Sequence, residues 1–265
     1  SCTAAMHLAM MVLDIKHGEV VVPDYTFAST GLAPILVNAK PKIAEVEYET
    51  ANLDATKLGD AVSKDTKAVI PVHYAGHPCD MDLINEIASE KNVFVVEDAA
   101  QSIGSTYKGK KAGALSDIGC LSFHAVKNIN CGEGGAVVID DDKLAEKAMI
   151  MRDKGTDRFS FRKQNRPGYY QYISEGHNFM LSDLQTAVLL EQFKKLDKIN
   201  AMREQHANFL TRHLKDFVPE IELPVVKDYA KTNWHLYPIR VPSAKRDFFI
   251  DAMNAEGINV NIHFR

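Results

Sequence analysis

Three stretches in the first hundred residues, 19–23, 67–72 and 93–96, are rich in Val and Ile and show no polar residue at every second position. A strand with one face in water must alternate. A strand that does not alternate has to be covered on both faces, which is the habit of parallel sheets held between helical layers. Helical periodicity fills the intervals, over 28–39 and 81–91. Further strand patterns follow at 118–123 and 136–139, with a helix over 141–151. Strand and helix therefore alternate, and the spacing predicts an α/β fold with a mostly parallel sheet.

Beyond residue 154 the pattern changes. Residues 155–176 lose periodicity and carry Arg158, Arg162, Arg166, Tyr169, Tyr170 and Tyr172. A long irregular segment in a compact domain is either functional or a plain surface excursion. Helical spacing returns over 181–214, with Leu184, Ala187, Val188, Leu190, Phe193 and Leu196, and stops near Pro219. A strand over 236–241, a helix over 245–256 and a strand over 258–264 then predict a second, smaller α/β unit. The expected division is a large domain over 1–205 and part of a small domain over 206–265, within the range that 265 residues allow. The chain opens without Met and inside a motif, and its end reads as a strand running to Arg265. Both features suit a piece of a longer chain.

Several function classes fall away on charge and cysteine usage. With 31 basic and 35 acidic residues the net charge is −4, and no long basic run occurs, so nucleic acid is not an expected partner. The apolar stretch over 4–15 is interrupted by His7 and Asp14 and falls short of the ~20 apolar residues a membrane span needs. It reads as a buried helix, and no membrane is expected. Cys2, Cys79, Cys120 and Cys131 show no C-x-x-C spacing, which points to reduced thiols and a cytoplasmic protein. His73, His77 and Cys79 fit no common zinc spacing, so no metal site is expected.

Four short motifs remain. Glu97-Asp98 ends a buried strand, at the sheet edge where open α/β folds bind ligands. Lys127 follows the next strand and precedes the flexible turn Gly132-Glu133-Gly134-Gly135. Ser1-Cys2-Thr3-Ala4 opens a helix, where free N–H groups and the helix dipole favour an anion, or where a hydroxyl simply caps. Pro23-Asp24-Tyr25-Thr26-Phe27-Ala28-Ser29-Thr30 puts aromatics directly after a strand. Taken singly, each has an ordinary explanation as a solvated carboxylate, a surface lysine, a cap or a core ring.

Together the motifs resemble the DegT/DnrJ/StrS-type sugar-nucleotide aminotransferases, which depend on pyridoxal 5'-phosphate (PLP). That family's pattern runs S-G-T-x-A-L, P-x-x-T-F-x-A-T, V-H-x-x-G-x-x-x-D-M, E-D-A-A-Q, S-F-H-x-x-K and G-E-G-G. Here it stands as Ser1 to Met6, Pro23 to Thr30, Val72-His73 through Asp80-Met81, Glu97 to Gln101, Ser122 to Lys127 and Gly132 to Gly135. The motifs keep their order through almost the whole chain. The resemblance implies a PLP-transferase fold of type I, and a reaction moving an amino group, with glutamate as the expected donor, to a nucleotide-linked keto sugar for cell-surface polysaccharide or amino-sugar biosynthesis. Two branches are nearest. One makes 4-amino-4-deoxyarabinose on UDP and is similar at 70–76 and at Trp234-His235-Leu236. The other makes a 4-amino-4,6-dideoxyhexose on dTDP and is similar at 105–109 and 152–158. Both act at C4. Two alternatives share the fold: a PLP-dependent sugar-nucleotide dehydratase, some of which replace the cofactor lysine with histidine, and a non-catalytic relative that binds PLP or a sugar nucleotide.

The resemblance also implies roles. Lys127 would bond covalently to the cofactor aldehyde and, once displaced, move a proton as base and acid. Phe27 would stack on the ring and Gln101 would bond near its hydroxyl. Ser122, with Cys2 and Thr3, would hold the phosphate. His124 sits in the motif without an assigned step. Cys2 replaces the usual Gly of the phosphate turn, and Met180 stands where many members reach the partner subunit's phosphate with Asn or Arg. Asn178 is the nearest polar substitute. The site is expected to be shared in a homodimer, with 155–178 at the interface or the nucleotide pocket. Asp98 would pair with the pyridine nitrogen. A carboxylate at ~4 Å contributes about 4 kcal/mol at an effective dielectric of ~20, or roughly 3 pK units, enough to keep that nitrogen protonated. Asp98→Asn should therefore retain PLP, followed by its absorbance, yet lose nearly all transamination. A near-normal rate would remove Asp98 from this role.

Overall fold

The computed structural model describes residues 1–166, 168–218 and 220–264. Pro219 and Arg265, where a helix stop and the last strand residue were expected, lie outside the described residues, as does the side chain of Arg162. In chain order the elements are α1 (Cys2–Val12), β1 (Glu19–Pro23), α2 (Ala28–Ile35), β2 (Lys40–Ala44), the one-turn α3 (Leu58–Ala61), β3 (Thr66–Val69), α4 (Met81–Lys91) and β4 (Phe94–Asp98). The short β5 (Thr106–Tyr107) and β6 (Lys110–Lys111) come next, then β7 (Ile118–Ser122), β8 (Gly135–Val138), α5 (Asp142–Met151), α6 (Arg158–Lys163), α7 (Asp183–Phe193), α8 (Leu196–Phe217), β9 (Ala230–Lys231) and α9 (Arg246–Ala255).

Six strands form the central sheet in the order β2-β1-β3-β4-β7-β8. All neighbours are parallel except β7 and β8, which fits the mostly parallel sheet the sequence predicts. The reason the strands are apolar throughout is visible in their alternation. Val20, Val22, Ala68 and Val96 pack into a core layer with α1, whereas Val21, Val69 and Val95 pack with Leu58, Ile84 and Ala88 of α3 and α4. Each strand thus feeds two hydrophobic layers, and neither set of side chains can be polar. Helix α1 is capped by Ser1, whose hydroxyl accepts from the Ala4 N–H at 3.1 Å. Its Met6, Ala9 and Met10 are almost completely buried.

Departures from the sequence reading have physical causes. The helix over 28–39 ends at Ile35, because the chain turns at Asn38, in the left-handed region at φ 62°, to start β2. Strand β2 carries Lys40, Pro41 and Lys42 and lies at the sheet edge, where charge and proline are tolerated and no apolar run is needed. The long helix over 181–214 is two helices, α7 and α8, joined at Lys194-Lys195, and Leu189, Leu196 and Ile199 pack on one cluster with Ile103, Phe123 and Ile129. Helix α9 matches the helix over 245–256. The strands over 236–241 and 258–264 do not form among the described residues. Arg240 makes only an isolated bridge with Glu222. Residues 263–264 are instead drawn into an aromatic cluster, where the Tyr74 hydroxyl donates to the His263 carbonyl at 3.0 Å and the Tyr25 hydroxyl does likewise. The late strand that does form, β9, pairs antiparallel with β5.

A tight backbone crossing braces the middle of the sheet. A Cβ placed on Gly119 of β7 would overlap the Gly113 carbonyl and lie 2.7 Å from its Cα. Gly119→Ala should cost about 1–3 kcal/mol through overpacking. Gly59→Ala, whose Cβ would meet nothing within 4 Å, should be neutral or stabilising by about 0.4–1 kcal/mol. Urea unfolding of the two variants checks the contrast.

Candidate active site

The polar side chains converge at the C-terminal edge of β4 and β7. Because strand side chains alternate, Glu97 and Asp98 point to opposite faces and meet different fates. Glu97 is fully buried. It accepts from Gly113 N–H at 2.7 Å, Leu115 N–H at 2.6 Å and the Ser116 hydroxyl at 3.1 Å, and lies 2.8 Å from His73 Nε2. His73 Nδ1 accepts from the Cys79 N–H at 3.1 Å, so Nε2 carries the hydrogen shared with Glu97. Burial alone pushes the Glu97 carboxyl up, but these donors outweigh it and hold the group below the ordinary carboxylate range. Glu97 is structural.

Asp98 faces the other side, toward α1 and α2. Its Oδ2 accepts from the Thr30 hydroxyl at 2.8 Å, and its Oδ1 accepts from the Ala100 N–H at 3.2 Å and, weakly, from the Cys2 thiol at 3.8 Å. Three donors from three elements fix the plane of the carboxylate. The thiol itself is pushed up, chiefly by burial and then by the charge of Asp98, so it stays protonated and can donate.

Helix α1 approaches the sheet end closely. Gly135 pairs with Ser122 across β7 and β8, and a Cβ on Gly135 would strike the Ser1 carbonyl and lie 2.8 Å from Cys2 N. The first turn of α1 therefore rests on the backbone beside Ser122. The N–H groups of Cys2 and Thr3 head this helix and have no intrahelical acceptor, which makes an anion seat with the Ser122 hydroxyl alongside. The Thr3 hydroxyl is paired with Ser29 at 2.8 Å. The Ser122 hydroxyl, near the His124 N–H at 3.4 Å, retains its own hydrogen to donate.

Lys127 lies in the turn after β7 and is half-buried, and among the described residues its amine has no hydrogen-bond partner. Burial lowers its pKa, an effect partly offset by the nearby charge of Asp98. The Gln101 carbonyl oxygen accepts from the Ala75 N–H at 2.7 Å, which aims its NH2 elsewhere. Phe27, at the head of α2, is 60 % exposed and sits 6.0 Å, centroid to centroid, from Phe264. Asn178 is exposed and forms an isolated bridge with Asp153, just beyond α5. The exposed Met180 follows it. His124 accepts from the Val126 N–H at 3.3 Å and lies 3.5 Å from Glu133, contacts that shape its own loop. Both ring nitrogens of His73 and of His77 are taken by protein groups.

Four residues close to this group escaped the sequence reading. Thr30 stood in a quoted motif without a role. Asn128 directly follows Lys127, and its side chain bonds to His235 Nδ1 at 3.0 Å. Burial lowers the pKa of both His235 and His263, and the charge of Lys127 adds to the lowering. His235 stood in the quoted Trp234-His235-Leu236 without a role, and nothing in a local pattern announces Asn128 or His263.

The donor set fits PLP. A helix terminus with free N–H groups and a hydroxyl suits a phosphate, an unpartnered amine suits an aldehyde, and a fixed carboxylate suits a pyridinium. Lys127 would hold the aldehyde end, Asp98 the ring nitrogen, and Cys2, Thr3 and Ser122 the phosphate.

Comparison with known proteins agrees. The model of the DegT/DnrJ/EryC1/StrS aminotransferase family matches residues 1–265. Among curated proteins, the spore coat polysaccharide biosynthesis protein SpsC of Bacillus subtilis is 37% identical over 272 residues, covering 100% of this chain and 70% of its own. Among solved structures, S. venezuelae DesV, in complex with a ketimine intermediate, superposes with TM-score 0.92 at 34% identity, over 100% of this chain and 68% of that one. Spr1654 of Streptococcus pneumoniae, provisionally assigned as a sugar aminotransferase and solved in a PLP form, gives TM-score 0.90 at 26% identity over 100% and 71%.

Two buried histidines make folding pH-dependent. Burial is the main cause that lowers His77 to about 4 and His235 to about 3. In the unfolded chain both titrate near ~6.5. The unfolded state thus binds more protons between these values, so the stability is present above about pH 6.5 and is lost as pH falls toward the folded values. Each histidine contributes a slope of about 1.4 kcal/mol per pH unit near pH 5, and the depressed Glu97 adds loss in the same direction at lower pH. Urea midpoints should fall steadily from pH 7 to pH 4.5, and a flat profile would contradict the buried neutral state.

Proposed function

We infer the reaction from the family to which this chain belongs, the DegT/DnrJ/EryC1/StrS aminotransferases: it is a PLP-dependent sugar aminotransferase. We propose that the acceptor is a nucleotide-linked keto sugar, aminated at C4, and that glutamate supplies the amino group. The observation that carries the reading is the unpartnered Lys127 amine beside a carboxylate, Asp98, fixed at the end of a buried strand. When bound, PLP supplies an electron sink for the carbon that exchanges its amino group.

The chain's own residues divide the remaining work. Lys127, with its pKa lowered by burial, can carry a proton between carbon centres from Nζ, since a lysine amine is useful as a base only when its pKa lies closer to neutrality. The Asp98 carboxylate, unable to rotate, keeps a cationic ring nitrogen in place. Cys2, Thr3 and Ser122 anchor the phosphate, Gln101 directs its free NH2 toward the cofactor's polar edge, and the exposed Phe27 offers a ring face. We assign Asn178 as the polar group that reaches a neighbouring subunit's phosphate.

A homodimer is proposed for the same reason. Leu184, Val188, Leu190 and Phe193 of α7 and Phe209 and Phe217 of α8 are exposed, an apolar surface of the kind that marks an interface. The segment over 155–178 supplies Arg158 stacked on Tyr170 at 4.5 Å and Arg166 near Tyr169 at 5.1 Å. Cations beside aromatic faces suit a nucleotide's phosphates and base. We keep 1–205 and 206–265 as the large and small units, with α9 in the latter. A cytoplasmic location is proposed, supported by four buried, unpaired cysteines. No described helix is long and apolar enough to cross a membrane.

Incubation with PLP, reduction with borohydride and peptide mass mapping tests the cofactor assignment. A pyridoxyl group on Lys127 is expected, and Lys127→Ala should abolish it. Label confined to other lysines would overturn the assignment of Lys127.

A further inference from the structure

The Asp98 carboxylate offers two lone-pair positions on each oxygen. Oδ1 is served by the Ala100 N–H at 3.2 Å and, weakly, by the Cys2 thiol at 3.8 Å. Oδ2 takes the Thr30 hydroxyl at 2.8 Å, and among the described residues no other donor reaches it. These donors account for both positions on Oδ1 and one on Oδ2, so a single position on Oδ2 is left.

Thr30 sits in the first turn of α2 and is fully buried. Its hydroxyl has one hydrogen, which is committed to Asp98. The Thr26 hydroxyl, 2.7 Å from Thr30 Oγ1, must therefore donate to it. The chain of hydroxyls has one direction, from Thr26 to Thr30 to Asp98, and each link polarises the next. The Thr30 N–H also closes the turn on the Phe27 carbonyl at 3.0 Å. Thr26 and Thr30 thus bracket Phe27, and the adjacent Ser29 hydroxyl is paired with Thr3 of α1 at 2.8 Å. One helical turn ties together the carboxylate, the exposed ring and the head of α1.

We propose that Thr30 is a positioning residue for Asp98: its hydroxyl, oriented by Thr26, fills one position on Oδ2 and leaves the other as the seat of the cofactor's ring nitrogen. The inference rests on the reading of Asp98 as the partner of that nitrogen. A hydroxyl that donates to a carboxylate favours its charged form. Thr30 thereby keeps the shared hydrogen on the ring nitrogen instead of on Asp98, in addition to fixing where the two meet.

Two substitutions separate positioning from packing. Thr30→Val keeps the branched shape of a fully buried side chain and loses the hydroxyl. Thr30→Ser keeps the hydroxyl and loses a methyl, so packing alone would favour valine and positioning favours serine. In the holoenzyme, Thr30→Val should lower kcat about 10- to 100-fold, the range set by a hydrogen bond to a charged group, with little change in KM for the amino donor. Thr30→Ser should recover most of that loss. With nitrogen-15 in the PLP ring, the ring signal should move toward that of a neutral pyridine in Thr30→Val and return in Thr30→Ser. In cofactor-free protein carrying carbon-13 at the aspartate carboxyls, the signal that Asp98→Asn removes should move in Thr30→Val, and in the same direction but less in Thr26→Val. The unsubstituted protein gives a readout that needs no variant to fold: its Thr30 hydroxyl proton should be protected from exchange with water. A fast-exchanging hydroxyl, an Asp98 signal indifferent to Thr30→Val, or a kcat loss in Thr30→Ser that equals or exceeds that in Thr30→Val would overturn the proposal. Asp98→Asn, carried through the nitrogen-15 measurement, separates the two failures: a ring signal that responds to it but not to Thr30→Val sinks only the inference, whereas a ring signal indifferent to Asp98→Asn sinks both.

Discussion

The contact between the first turn of α1 and the bare backbone of Gly135 sets the geometry on which the site depends. Gly135 is paired with Ser122, so a helix resting on it delivers its free N–H groups to the end of β7. The same placement carries the Cys2 thiol over Asp98. The helix cannot slide to relieve a clash, because Met6 and Met10 are locked in the core layer and close-packed interiors transmit such displacements rather than absorb them. The helix end proposed to hold the phosphate is thus located by hydrophobic packing one to two turns along α1.

Neighbouring carboxylates on β4 show how burial sorts identical chemistry. Glu97 would be very costly in an apolar layer without partners. It gathers the 113–116 turn and His73 around itself, which ties β7's approach and the end of β3 to β4. Asp98 needs that rigidity. Its own three donors fix its plane only if the strand end beneath it does not move, and the Glu97 network holds that strand end. One carboxylate organises structure, and the adjacent one is the group proposed for chemistry.

The central sheet was legible because each strand feeds two apolar layers, a condition that writes itself into Val20 to Val22 and Val95 to Val96 as an unbroken run. Edge strand β2 was not, since Lys40-Pro41-Lys42 satisfies an edge without any such run. Asp98 and Ser122, which end β4 and β7, and Lys127, in the turn after β7, could be singled out from their motifs. The placement of His235, quoted in a motif without a role, and of His263 could not. They occupy segments whose conformation is dictated by partners elsewhere, such as Asn128 and Tyr74, and no local periodicity encodes that. The strands expected over 236–241 and 258–264 failed for the same reason: apolar residues there pack on an aromatic cluster, and no neighbouring strand offers a ladder.

The return of residues 233–264 to a sheet built from the first half of the chain has a consequence for biosynthesis. At roughly 5–20 residues per second, Lys127 leaves the ribosome on the order of ten seconds before His263 does. The sheet and α1 can be complete during that interval, with both hydrophobic layers formed. Asn128 would still lack His235, and Gly76 would still face open water in place of Asn233. A nascent chain of this kind presents a folded sheet and α1 before residues 233–264 have returned to pack against them.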